Sequence, residues 1–339
     1  MPCFVIAEAG VNHNGRLDLA LALVDAAADA GADAVKFQTF KADSLVKRGT
    51  AKADYQTEAT GEGDQHDMIA ALELDESQHE AIRNRCDVRG IEFMSTPFDT
   101  WALGLLQRLG VRRLKVPSGE LTNRPFIEIL AQQGLPIILS TGMATMDEVQ
   151  RTVTWLRACR QDADVSEWLT VLHCTSNYPT VPLDVNLRAM QTIQSALEIP
   201  VGYSDHTLGI EVPIAAVALG ASIIEKHFTL DRSMSGPDHQ ASLDPAQLAA
   251  MVRGIRTVEA ALGNGIKEPT PTEWPIRQLV RRSAFTVREL PQGHTLAPND
   301  LEYLRPGDGI GPEYAAEIIG RQTAHALAAG HRLEWKDLF

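Results

Sequence analysis

The stretch VGYSDHTLGIEVPIAAVALGASIIEKHFTL, residues 201–230, reads as a strand, a helix and a second strand. The first strand runs into Ser204 and His206, the second into Glu225 and His227. The members of each pair are two residues apart, so each pair points to one side of its strand. Working outward, the same pattern of short apolar strand, polar ending and helix recurs eight times. The other endings are Glu8 in FVIAEAG, Lys36 in AVKFQT, Thr96 in FMSTPFD, Lys115 with Glu120 in LKVPSGE, Ser140 in IILSTGM and Ser176 in VLHCTSNYP. Eight parallel strands with crossover helices close into a (β/α)8 TIM barrel, and barrel active sites lie at the C-terminal strand ends.

The predicted strands are 3–9, 34–39, 91–96, 112–117, 136–141, 169–175, 200–205 and 222–228. Most are continuous apolar runs, as expected where both faces are buried. The segments between them carry helical periodicity; in 17–30, Leu19, Leu23 and Ala26 or Ala27 share a face. Gly31, Gly90, Gly110, Gly134 and Gly220 fall at helix-to-strand joints, where a left-handed residue ends the helix. Two stretches break the pattern. Residues 41–66 are long, polar and mostly non-periodic, as expected of a substrate loop or of a solvated one. Residues 263–277, GNGIKEPTPTEWPIR, read as an extended linker that ends the barrel.

The expected organisation is a catalytic barrel over 1–265, a linker over 266–280 and a small β-rich domain over 281–339. That last segment contains an echo. GHTL leading to Asp300-Leu301 and GHRL leading to Asp337-Leu338 repeat at a spacing of 37 residues. Two copies suit a small module with approximate internal symmetry rather than a solenoid. Its core is thin, so it is expected to dock on something larger.

The 339 residues are 44% hydrophobic and 22% charged, an ordinary globular balance. MPCFVIAEAG leads straight into a strand, so no secretory leader is expected. The longest apolar run, 212–224, is too short to span a membrane. Cys3, Cys86, Cys159 and Cys174 are widely separated, which fits reduced thiols in a cytoplasm. The net charge of −13 argues against nucleic acid and anionic membrane as partners. An anionic ligand would therefore need cations concentrated locally, and Lys36 and Lys115 could supply them.

His206 and His227, on neighbouring strand ends and flanked by Asp205 and Glu225, make a divalent-metal site or a pair of structural histidines. Two nitrogens with oxygens completing the shell suit Mn2+ or Mg2+ better than structural zinc. Lys36 and Lys115 lie in apolar strands, where an unpaired ammonium is costly. They either pair with Glu8 and Glu120 or bind phosphate and carboxylate. Lys115 also admits a Schiff-base role, which the two histidines disfavour. Hydroxyls of Thr96, Ser118, Ser140, Thr141, Ser176 and Ser204 converge on the same mouth, a setting for a small phosphorylated acid. Glu8 and Glu120 are candidates for proton transfer or for orienting the lysines. Cys174 and His173 point to opposite faces and form no dyad, so Cys174 is expected to be a packed residue.

These residues together resemble the sialic acid synthase family, which builds nine-carbon nonulosonic acids. The motifs are AEAGVNHNG (7–15), VKFQTFKA (35–42), STPFD (95–99), KVPSGE (115–120), STGMAT (140–145), HCTSNYP (173–179), GYSDHTLGIEV (202–212), EKHFTLD (225–231) and GPDH (236–239). RRSAF (281–285) and LRPGDGI (304–310) resemble the antifreeze-like, or SAF, domain of the same enzymes. The resemblance implies condensation of phosphoenolpyruvate with an open-chain N-acetylated mannosamine-type sugar, releasing phosphate. It implies that His206 and His227 bind Mn2+ (or Mg2+ or Co2+), and that Lys36, Thr96, Lys115, Ser118, Ser140 and Ser204 hold phosphoenolpyruvate. It gives Glu8 and Glu120 acid–base roles and Gln38, Tyr178, Asp238 and Arg305 sugar contacts. It also implies a swapped homodimer in which the SAF domain of one subunit caps the barrel of the other. One position departs from the family, which carries Asn two residues before the tyrosine of the sixth motif. Here Ser176 holds that place, and Ser176 is taken as the phosphate contact. The acceptor stays open between N-acetylmannosamine, its 6-phosphate and diacetamido-trideoxy sugars of the legionaminic or pseudaminic type. A synthase for another aldose and a sugar-binding protein without activity are the competing readings.

Overall fold

The computed structural model describes residues 2–161 and 163–339, without the side chains of residues 54, 55 and 58. Eight parallel strands form one sheet: β1 (Phe4–Gly10), β2 (Ala34–Thr39), β3 (Glu92–Pro97), β4 (Leu114–Val116), β5 (Ile137–Ser140), β6 (Leu169–Cys174), β7 (Val201–Asp205) and β8 (Ile223–His227). Neighbours follow chain order, β1 pairs with β8, and β3 packs beside β4 to complete the circuit. All eight predicted strands are present within a residue or two.

The strand period of two sorts the side chains into layers. Ile6, Ala34, Met94, Ile138, Leu172 and Ile223 point inward and, with Phe4, form an apolar plug. The Arg113 guanidinium lies over the Phe4 ring, 4.1 Å from its centroid, and is paired with Glu92. Outward residues such as Val5, Val35, Phe37, Val171 and Ile224 pack against the helices in the main core. Two residues further along each strand from the plug come Glu8, Lys36, Thr96, Ser140, Cys174 and Glu225. The plug therefore sets the floor on which the polar residues stand.

The helices start where capping residues allow it. Asp75 with Gln78, Thr145 with Glu148 and Asp244 with Gln247 form reciprocal capping boxes. The five joint glycines all adopt left-handed φ values, from 68° to 100°. In the first helix (Leu17–Asp29) the buried face is Ala20, Leu23, Val24 and Ala27, so Leu19 lies beside that face rather than on it.

Two expectations are corrected. The excursion after β2 is not structureless: it contains short helices at Ala42–Leu45, Asp54–Thr60 and Gln65–Ala70. They are too short to show a period in sequence. The linker is also partly helical, over Glu273–Val280. Its Pro275 falls in the first turn, where a missing N–H costs little, and Glu273 accepts from the Thr270 amide at 2.8 Å.

The chain divides into two compact units, 1–263 and 264–339. In the second, β9 (Ser283–Thr286) and β10 (Leu301–Leu304) pair antiparallel. The internal echo becomes a repeated contact. His294 bonds Asp300 at 2.7 Å and His331 bonds Asp337 at 2.9 Å, and each carboxylate also accepts an amide three residues earlier. The core pairs Leu290 with Leu327, Leu296 with Leu333 and Leu301 with Leu338 as counterparts in the two copies. Among the described residues no helix is long and apolar enough to cross a membrane.

Gly202 occupies an inward position of the barrel that has no room for a side chain. A Cβ there would lie 2.5 Å from the Ile223 carbonyl and 2.6 Å from Leu172 Cδ2. Gly202→Ala should cost about 1–3 kcal/mol of stability through overpacking. Urea denaturation, with a lower midpoint and an unchanged slope, checks it.

Candidate active site

The polar layer above the plug opens into a cavity of about 420 Å3 at the C-terminal end of the barrel. Its wall includes Glu8, Lys36, Gln38, Thr96, Lys115, Ser118, Ser140, Ser176, Tyr178, Ser204, His206 and His227. These residues come from every strand of the barrel or the turn after it, so the strand ends converge as their spacing implies.

At the bottom sits a four-charge cluster. The Lys36 ammonium is 2.6 Å from Glu8 and 3.6 Å from Glu225, and donates to Thr96 at 3.0 Å. Lys115 is 3.4 Å from Glu225, which also accepts a hydrogen bond from Ser204 at 3.0 Å. Burial alone would raise the pKa of Glu225, but Lys115 and Lys36 hold it down at about 2. Burial pushes Glu8 up to about 7; Lys36 offsets this only in part, and Glu225 adds repulsion. Glu225 is thus a fixed anion, while Glu8 titrates near neutrality, the property a proton-transfer group needs. Lys36 thus pairs with Glu8, one of the two alternatives the sequence offers, and Lys115 pairs with Glu225.

One side wall is built of small residues. The Gly142 amide donates to Ser118 Oγ at 2.9 Å, and the Ser140 hydroxyl is buried without a hydrogen-bond partner. Such hydroxyls and amides suit phosphate or carboxylate oxygens.

The opposite side carries the imidazoles. The rings of His206 and His227 are 5.4 Å apart, with Tyr178 stacked on His206 at 4.0 Å and edge-on to His227 at 5.4 Å. The Nδ1 of His206 donates to the Thr175 carbonyl at 2.6 Å, which directs Nε2 away from that bond. Burial disfavours a charge on His206, but Cys174 and Thr175 raise its pKa. Burial and then His206 hold His227 well below the ordinary imidazole value, and its Nδ1 is buried without a hydrogen-bond partner. Asp238, raised by burial to about 6, has a carboxylate oxygen 4.0 Å from that nitrogen. Two imidazoles, one with an orphaned nitrogen, and a nearby carboxylate form a donor set that suits a divalent cation. A separate group, Asp64, His66 and Asp67, also brings three ligand atoms within 4.8 Å of one another. Its atoms are engaged within the chain: Asp64 caps a helix through the Asp67 amide at 2.8 Å, and His66 bonds Asp43 at 2.8 Å.

Some expected residues stand elsewhere. Glu120 is half-buried, and its carboxylate accepts from the Asn123 side chain at 2.6 Å. The turn Ser118–Glu120 puts Pro117, Ser118 and Gly119 on the wall instead, and Lys115 pairs with Glu225, not Glu120. Arg305, whose expected role is toward the barrel of a partner subunit, is exposed on the second unit. Cys174, expected to be packing, lines the cavity with its sulfur 3.8 Å from His206 Nδ1. Its position two residues beyond the inward Leu172 was the available signal. Glu225 was read as a flank to His227 rather than as the centre of the charge cluster. Gln56 and Gln65, from the excursion, also line the mouth, and no periodicity marks them.

A barrel with buried lysines, hydroxyls and paired imidazoles at its C-terminal end has the layout of an enzyme that handles a small anion. The chain belongs to the NeuB family, whose model matches residues 23–267, and residues 281–338 match the SAF domain. It is 50% identical to the N,N'-diacetyllegionaminic acid synthase of Legionella pneumophila, over 100% of this chain and 95% of that one. It is 35% identical to the human N-acetylneuraminate-9-phosphate synthase, over 95% of this chain and 89% of that one. The crystal structure of the N-acetylneuraminic acid synthetase from Leptospira borgpetersenii superposes with a TM-score of 0.70 at 38% identity. That superposition covers 81% of this chain and 90% of the other. The chain is an enzyme of this condensing family.

Gly142 is the position through which the hydroxyl wall is most easily tested. A Cβ there would sit 2.1 Å from Ser176 Oγ and 2.8 Å from Ser118 Oγ. Gly142→Ala should weaken binding of inorganic phosphate by roughly tenfold or more, an overpacking cost of about 1–3 kcal/mol falling on that wall. Calorimetric titration of phosphate beside a thermal melt checks it; an unchanged affinity contradicts an anion site at that wall.

Proposed function

We propose that this protein condenses phosphoenolpyruvate with an N-acetylated mannosamine-type sugar of the diacetamido-trideoxy kind. The products are a legionaminic-type nine-carbon acid and phosphate. The observation that carries the reading is the single cavity in which Lys36, Lys115, the hydroxyl wall, Glu8 and the two imidazoles face one another. The relative at 50% identity, named for N,N'-diacetyllegionaminic acid, supports the choice of acceptor. So does the outer wall: Gln38, Gln56 and Gln65 offer amides, and Lys36 and Lys115, at the bottom, are the only lysine or arginine side chains among the described lining residues. A neutral, amide-bearing sugar fits that wall better than a sugar phosphate.

Lys36 and Lys115 with Thr96, Ser118, Ser140, Ser176 and Ser204 hold the phosphate and carboxylate of phosphoenolpyruvate. His206 and His227 hold a divalent cation, Mn2+ or one like it, beside Asp238. When bound, that ion supplies Lewis-acid polarisation of the sugar aldehyde. Gln38 and Tyr178 orient the sugar so that its aldehyde carbon faces carbon 3 of phosphoenolpyruvate. The enol carbon attacks, a new C–C bond forms as the aldehyde C=O π bond opens onto its oxygen, and water adds at carbon 2. Glu8, protonated on binding, gives its proton to the former aldehyde oxygen and then, as a carboxylate, takes one from the water. The tetrahedral centre breaks its bond to the phosphate oxygen, and the carbon 2 hydroxyl proton leaves with phosphate as the ketone forms. In a swapped homodimer Arg305 would reach the acceptor from the partner chain.

The reading is tested by mixing the protein with Mn2+, phosphoenolpyruvate and a panel of acceptors. Phosphate release and a nine-carbon product by mass spectrometry are expected with the diacetamido-trideoxy sugar. Weaker turnover is expected with N-acetylmannosamine and none with its 6-phosphate. No turnover with any member of the panel would refute it. Glu8→Gln should lower kcat by about 10²–10⁴ with little change in phosphoenolpyruvate affinity at pH 6.

Glu8 also sets a pH dependence. An anion arriving beside a carboxyl that titrates at about 7 favours the neutral form. Binding of phosphoenolpyruvate should therefore take up a proton, and affinity should fall as pH rises through 7. Calorimetry in buffers of different ionisation enthalpy reads the uptake, which Glu8→Gln should abolish.

A further inference from the structure

One fully buried ion pair has no part in the chemistry above. Asp205 precedes His206, Lys226 precedes His227, and the two are direct partners in the β7–β8 ladder. Side chains alternate along a strand, so both point away from the cavity into the layer under the helices. Asp205 is 0% exposed and Lys226 1%. The Lys226 ammonium donates to the Asp205 carboxylate and to the Thr207 carbonyl. The same carboxylate accepts from the Tyr203 hydroxyl at 3.0 Å, from the Thr207 amide at 3.0 Å and from the Thr207 hydroxyl at 3.0 Å.

This network has a specific reach. By bonding the amide of Thr207, Asp205 clasps the backbone on both sides of His206. Lys226 fixes that clasp to the residue adjoining His227. A single hydrogen-bonded unit therefore spans the two chain segments that carry the imidazoles. Stability alone does not account for it, since apolar residues fill neighbouring outward positions, and a buried ion pair is often no more stable than an apolar replacement. What the pair adds over an apolar replacement is a fixed relation between two backbones.

We propose that Asp205 and Lys226 are positioning residues that set the spacing and aim of His206 and His227 for a divalent cation. The inference rests on those histidines being the metal ligands. Lys226→Met alone would leave a buried, unpaired carboxylate, so the main test uses the full-length double variant Asp205→Asn/Lys226→Met, which removes both charges. Tyr203→Phe, which removes one hydrogen bond and keeps the ion pair, is the milder companion.

Mn2+ alone is titrated into each protein by calorimetry, and phosphoenolpyruvate is titrated separately without metal. The double variant should bind Mn2+ roughly 10- to 100-fold more weakly, and Tyr203→Phe should fall between it and the wild type. Phosphoenolpyruvate affinity should be unchanged, and kcat should recover at saturating Mn2+. Unchanged Mn2+ affinity in the folded variants overturns the proposal. So does a matched loss of Mn2+ and phosphoenolpyruvate binding that excess metal does not restore. If wild type and His206→Ala/His227→Ala bind Mn2+ equally, the ligand assignment itself fails, and this inference with it.

Discussion

Two ammonium groups sit at the bottom of a barrel whose next layer down is pure hydrocarbon, and Glu225 makes that arrangement possible. Neither Lys36 nor Lys115 is more than 3% exposed. An isolated ammonium at such depth would shed its proton or unfold the strand end. Glu225 lies within 3.6 Å of both, takes a hydrogen bond from Ser204 and stays ionised. Glu8 closes the cluster from the neighbouring strand. Four charges from four strands thus neutralise one another, and the ammonium groups are held in place before any ligand arrives. Preorganised groups need no reorganisation when charge develops nearby.

The depth of this cluster follows from the plug. Inward side chains rise in steps of two, so on each strand the step after the apolar plug residue is the first that can face the cavity. Ile6 lies below Glu8, Ala34 below Lys36, Met94 below Thr96 and Ile223 below Glu225, and the register staggers these steps, with Glu8 beside Lys36 but Thr96 beside Gln38. His227 and Gln38 occupy the step above, where the cavity widens. The chemistry is therefore stacked, with anion-holding groups beneath and the imidazoles with the sugar-facing amides on top. That order matches a reaction in which a small acid binds deep and a larger acceptor lies over it.

This stacking explains what could be read from the chain and what could not. Strands buried on both faces are continuous apolar runs, so all eight were legible, and residues two apart could be assigned to one face with no coordinates. His206 and His227 were found that way. Glu120 lies past its strand, in a turn that obeys no period of two, and its side chain bonds Asn123 instead of entering the cavity. Cys174 was judged by residue type, when its offset from Leu172 carried the better information. Gln56 and Gln65 belong to helices of six or seven residues, held by tertiary contacts rather than by a face that repeats. The linker helix is hidden by Pro275, which its first turn tolerates, and by Pro269 and Pro271 just before it.

Charge is where sequence and structure part most instructively. A net charge of −13 invites the idea of a cationic pocket working against an acidic surface. The cluster at the bottom of the pocket is instead built from two acids and two lysines, so its formal charge with Glu8 ionised is zero. Attraction for an anion must then come from short-range donors: the buried Ser140 hydroxyl, the Ser118–Gly142 pair and the lysine N–H groups. Surface charges act weakly at that depth, because those more than about 8 Å away through solvent are screened at physiological salt. The remaining variable is Glu8. With its proton on, the cluster carries one positive charge and receives an anion; with its proton off, it can take a proton from water. One carboxyl, tuned by burial, can serve both binding and turnover, and a permanently cationic pocket would serve only the first.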